Sequence, residues 1–180
     1  MRTEAAGPGT GPGDSRFQVA TLVALRMLIG WHFLYEGIAK ITNPYWTSAG
    51  YLADAKGVLE NGALQVAASP TAVTFVDYLN EYGLVLIGLG LLIGFLTRAA
   101  MVSGVVLLTL YYVVAPPLPG YAYLTPAEGS YLVVNKVLIE AVALLVLLAS
   151  PASLDYTLDA LFHGMRAERA TTQPPQPAEA

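Results

Sequence analysis

From Phe17 to Ile41 the chain reads FQVATLVALRMLIGWHFLYEGIAKI, an apolar run that also carries Arg26, His32, Glu36 and Lys40. About 20 predominantly apolar residues are enough to cross the hydrocarbon of a bilayer as a helix. In that medium every backbone N–H and C=O must be satisfied internally, so a helix is the form open to such a segment. The same medium makes each ionisable side chain costly, so such residues pair with one another or mark a site. Apolar runs recur downstream. The 180-residue chain is 55% apolar and 12% charged, with mean hydropathy +0.54. Soluble domains carry about 25% charged residues. The expectation is an all-α integral membrane protein.

The pattern predicts a four-transmembrane-helix bundle, with spans near Phe17–Ile41, Tyr78–Leu96, Ala99–Ala115 and Tyr131–Ala149. Pro116-Pro117 and Ser150-Pro151 end the third and fourth spans. Residues 1–15 are Gly/Pro-rich and are expected to be disordered, as are residues 166–180; the membrane domain is residues 16–165. A long outer loop, Thr42–Asp77, is punctuated by Pro44, Asn61-Gly62 and Ser69-Pro70. Its Tyr45, Trp46 and Tyr51 suit a cap folded at the membrane interface. After Pro151 the helical spacing of Leu154, Leu158, Leu161, Phe162 and Met165 predicts a short C-terminal interfacial helix. With both termini in the cytoplasm, Arg2, Arg16, Arg98, Arg166 and Arg169 lie inside and only Lys40 and Lys56 outside.

The chain has no cysteine, which excludes disulfides, thiolate chemistry and cysteine-ligated clusters. His32 and His163 fall on opposite membrane faces in this topology, which argues against haem, and no span has a metal-ligand spacing. The net charge of -4, without a basic block, gives no support for nucleic-acid binding.

The intramembrane charges therefore carry the argument. Arg26, Gly30, Phe33, Gly37 and Lys40 share one helix face. Glu36–Lys40 and Lys136–Glu140 are i,i+4 pairs. With midplanes near Ile29 and Glu140, Arg26 lies roughly 5 Å inside the midplane and Lys136 roughly 6 Å outside it. That predicts two cross-helix pairs, Arg26 with Glu140 and Glu36 with Lys136. Lys40 is left to meet Glu81 or an external anion, and Gly30 and Gly37 permit close backbone approach. Either these pairs are structural staples that fix helix register, or they line a working site. His32 is read as a hydrogen-bonded packing residue or a proton carrier. Trp31 and Tyr111-Tyr112 are read as packing or belt aromatics.

Arg26 with Gly30, Phe33 and YEGIAK at 35–40 resembles the first-helix motif of the DoxX/DoxD family. GLGLLIGFLTRAA at 88–100 is similar to that family's second-helix end, and NKVLIEAVALL at 135–145 to its fourth helix. NPYW at 43–46 in the longer loop looks closest to the DoxD branch. The resemblance implies a four-helix protein of the bacterial cytoplasmic membrane linked to redox chemistry. The DoxD branch is similar to the membrane subunit of thiosulfate:quinone oxidoreductase, which forms tetrathionate and works with a small second subunit. The implied site residues are Arg26, His32, Glu36, Lys136 and Glu140 for chemistry. Lys40, Trp46, Glu81 and Asn135 would bind a small anion such as thiosulfate. The implied ligand is a membrane quinone, with no covalent cofactor. The implied partners are lipids and other membrane subunits, or further copies of the chain. The rival reading is a non-catalytic accessory subunit of a larger respiratory or other membrane complex; a small transporter is a third.

Overall fold

The structure, a computed structural model, describes residues 12–121, 123, 132–150, 154 and 157. All regular structure among them is helical: α1 (Pro12–Thr42), α2 (Ala49–Ala53), a 3-10 turn (Gly57–Leu59), α3 (Glu60–Ala67), α4 (Pro70–Ile93), α5 (Thr97–Val114) and α6 (Lys136–Ala149). Three stretches are long and apolar enough to cross a membrane: Arg16–Thr42, Pro70–Ile93 and Thr97–Val114. The 14-residue α6 is about 21 Å long, short of the roughly 30 Å of hydrocarbon. Tyr131, the expected start of the fourth span, lies outside the described residues, as does most of the expected interfacial helix; of the latter only Leu154 and Thr157 are described.

Several boundaries differ from the sequence expectation. Helix α1 already includes Pro12, inside the Gly/Pro-rich segment expected to lack structure. The expected long loop is largely helical, and α4 begins at Pro70 rather than near Tyr78. Ser69 and Pro70, read as loop punctuation, are instead a helix start. The Ser69 hydroxyl accepts from the Ala72 N–H at 3.4 Å. Pro70 occupies the first turn, where its missing N–H costs nothing. At the other end Gly94 adopts the left-handed conformation (φ 76°) that closes α4. Two residues later α5 begins.

Helices α1 and α4 run antiparallel and touch through glycine. A Cβ on Gly88 would sit 2.5 Å from the Leu34 nitrogen and 2.8 Å from the Gly30 oxygen. On Gly37 it would sit 2.7 Å from Val85 Cγ2 and 2.9 Å from the Val85 nitrogen. Gly30 and Gly37 thus bring α4 close to α1, as small residues do in membrane helix pairs. Gly104 of α5 opens a place for Leu144 of α6, with Ile87 and Phe33 at 3.5 Å from its notional Cβ. Phe33, Ile87, Gly104 and Leu144 therefore form one layer across the bundle, inside a core that includes Leu84, Leu91, Met101, Leu108 and Leu147.

The 43–69 segment packs on the ends of α4 and α5. Asp77 accepts bonds from the Thr47 hydroxyl (2.9 Å), the Ser48 N–H (2.7 Å) and the Ser48 hydroxyl. The Lys56 N–H donates to the Val114 carbonyl at 3.0 Å. The Tyr51 hydroxyl donates to the Tyr111 carbonyl at 2.7 Å. Burial pushes the Tyr51 hydroxyl well above the ordinary tyrosine range, so it remains a donor.

Candidate functional site

Three polar side chains of α1 follow one another a turn apart: His32, Glu36 and Lys40. Lys40 Nζ donates to Glu36 Oε2 at 2.7 Å. Glu36 Oε1 lies 4.0 Å from His32 Nε2. His32 Nδ1 lies 2.7 Å from Glu140 Oε1 on α6. The imidazole therefore stands between two carboxylates, one facing each ring nitrogen. At the far end Lys40 Nζ sits 5.5 Å from the centre of the Trp46 ring, a cation–π distance.

These groups wall a cavity of about 170 Å³ between α1, α4, α5 and α6. Lys136 and Tyr111 also face it, and Phe33, Leu84 and Leu108 supply apolar wall. Glu36, His32 and Lys136 line the same space. A second space, about 390 Å³, lies on the other side of His32 and Glu140 between α1 and α6. Both spaces share His32, Lys136 and Glu140.

The expected pairings are revised. Glu140 meets His32 at 2.7 Å, and Glu36 meets Lys40 at 2.7 Å. The first shift has a geometric cause. The sequence expectation puts Glu140 at the centre of a span starting near Tyr131, but the described helix starts at Lys136, so Glu140 is in its second turn. It therefore meets α1 six residues, about 9 Å, further along than expected. Arg26 lies about 10 Å below the Phe33 layer, and Thr97, where α5 begins, lies as far below Gly104. Arg26 is thus level with the α4–α5 turn, not near mid-bundle, and is buried there, 1% exposed. The second shift follows from helix geometry. An i,i+4 partner is already in place, whereas α6 stands across the cavity.

The residues expected to bind an anion have these contacts. Lys40 is bonded to Glu36 rather than Glu81. Trp46 does sit over Lys40. Asn135 caps α6, its side-chain oxygen accepting from the Leu138 N–H at 2.9 Å.

One residue of interest escaped the sequence reading. Asn80, buried within α4, donates from Nδ2 to the Tyr111 hydroxyl oxygen at 2.5 Å. Having accepted that bond, Tyr111 keeps its own proton free to donate. The signal for Asn80 was available. It is an amide in an apolar helix, on the face that also buries Val73, Leu84, Ile87 and Leu91.

The family model for DoxX matches residues 21–116, from α1 through α5. The chain belongs to the DoxX family. No curated protein and no solved structure matches it. This DoxX protein is a multi-pass membrane protein. His32, Glu36, Lys40, Asn80 and Tyr111 fall within the family match, while Lys136 and Glu140 lie beyond it.

Proposed function

We propose that this DoxX protein is a quinone-linked redox subunit of the cytoplasmic membrane, of the thiosulfate:quinone oxidoreductase type. His32 would act as its proton-exchanging group. The observation that carries this reading is the imidazole held between Glu140 and Glu36, on the wall shared by the internal cavity and the α1–α6 space. Histidine changes charge near neutral pH, and a carboxylate on one ring nitrogen sets the tautomer. With Nδ1–H donating to Glu140, Nε2 is the nitrogen left to give or take a proton. Glu36 lies beyond it, and Lys40 beyond that, so the chain of groups runs from mid-bundle toward the 43–69 segment.

The residues present fit a quinone head: the cavity wall offers His32 and the Tyr111 hydroxyl as donors, set among Phe33, Leu84 and Leu108. A quinone takes up two electrons and two protons. Two thiosulfate ions, joined as tetrathionate, release the two electrons. His32 delivers protons and Glu36 re-protonates it. Arg26, by its depth, holds the α4–α5 end of the bundle rather than touching the reacting atoms.

The test is thiosulfate-driven reduction of a quinone analogue by the detergent-purified protein with any co-purifying subunits. Reduction is expected, and His32→Gln should slow it by roughly 10²-fold, the usual contribution of a general acid. If no reduction occurs with the full complement of subunits, this reading fails, and the charges serve as staples of an accessory subunit.

A further inference from the structure

The α1–α6 space is an apolar strip that ends in polar side chains at mid-bundle. Leu25 and Ile29 of α1 face Ile139 and Ala143 of α6, and His32, Glu140 and Lys136 line one end. Direct contact between α1 and α6 is sparse compared with α1–α4 or α5–α6, and the His32–Glu140 bond bridges the two helices. Its volume of about 390 Å³ is within the range of small-molecule pockets, about 300–1,000 Å³. Ile139 is 62% exposed, so the strip opens toward the surroundings of the bundle rather than into its core.

We propose that this strip is the binding track of a neutral, ring-headed isoprenoid amphiphile of the quinone class, which reaches the His32–Glu140 pair sideways from the bilayer. The choice of head group rests on the quinone-linked reading above; the track itself rests on the geometry. Depth selects the occupant. His32 adjoins the Phe33–Ile87–Gly104–Leu144 layer, which lies near the middle of α5. A phospholipid keeps its charged head at the interface and cannot bring it to this level. An uncharged ring with carbonyl oxygens can reach it. There a ring carbonyl would accept a hydrogen bond from the Nε2–H of the protonated His32, and the tail would lie along Leu25, Ile29, Ile139 and Ala143. His32 and Glu140 line both the strip and the neighbouring cavity.

The experiment uses the full chain in nanodiscs. A photoreactive azidobenzoquinone with a decyl tail is irradiated on the wild-type protein, and the labelled peptides are mapped by mass spectrometry. Binding of the unlabelled decyl quinone and of its tail-less parent is measured in parallel by equilibrium dialysis. Label should fall within residues 25–32 and 139–143, and the decyl form should bind at least tenfold tighter than the tail-less ring. Ala143→Phe, which fills the strip, should remove that tenfold advantage and leave binding of the tail-less ring unchanged. Label on the 43–69 segment, label spread over the lipid-facing surface, or equal competition by phosphatidylglycerol would each overturn the track. Failure of thiosulfate-driven reduction with tail-dependent labelling intact would remove the redox reading and leave the track standing.

Discussion

His32 is the side chain on which the site turns, because each of its ring nitrogens faces a carboxylate and those carboxylates belong to different helices for Nδ1 and the same helix for Nε2. The His32–Glu140 bond is the short one, at 2.7 Å, and its Glu140 end is largely buried, with 11% of the side chain exposed. A double-mutant cycle of His32→Gln, Glu140→Gln and the pair, read by thermal unfolding in detergent, should give a coupling of about 0.5–3 kcal/mol, as contacting residues do. Strict additivity would mean that the two side chains do not meet. The Glu36–Lys136 cycle should give a weaker coupling, since those residues face each other across a cavity and Glu36 is bonded to Lys40.

Among the helices, α1 and α4 are held together by the absence of side chains. Gly88→Ala would drive a methyl into the backbone of Leu34 and Gly30, which cannot yield without moving α1. Overpacking of this kind costs about 1–3 kcal/mol, and a lowered unfolding temperature should show it. Gly83, five residues earlier on α4, has open space where its Cβ would be. Gly83→Ala should therefore be neutral or stabilising by up to about 1 kcal/mol, through helix propensity. Equal gains in both variants would show that propensity rather than close approach governs this pair. The 43–69 segment is joined to α5 through Tyr51. Tyr51→Phe removes one hydrogen bond, worth about 1 kcal/mol, and should raise the rate of tryptic cleavage at Lys56 about fivefold if the segment opens locally. An unchanged rate would mean that its other contacts suffice.

For the molecule as a whole, the balance of Lys and Arg predicts that both termini are cytoplasmic, which would require an even number of crossings. Among the described residues three helices meet the length and hydropathy of a span, so on that prediction the segment that contains α6 would supply the fourth. Because the chain has no cysteine, single cysteines at Thr10 and Ala170 can be tested cleanly in intact cells. Both should resist an impermeant thiol reagent. Labelling of Ala170→Cys alone would show that α6 does not cross.

Three spanning helices and the ionisable groups they carry could be read from the chain, because hydropathy and the cost of a buried charge are local properties. Arg26, Gly30, Phe33 and Gly37 do share a buried face, as their spacing required. The partners could not be read in that way. Which charge meets which depends on the depth at which each helix begins, and one turn of error moves a side chain about 5 Å. Asn135 capping α6 sets the start of that helix and so brings Glu140 to His32 rather than Arg26. Ser69-Pro70 carried the opposite ambiguity: the same dipeptide can break a loop or open a helix, and the apolar residues after Pro70 found a core to face. Asn80 acquires its meaning only from Tyr111, a residue on another helix. Local sequence carries the energetic need for a partner; the packing of antiparallel helices, through glycine contacts and helix starts, selects it.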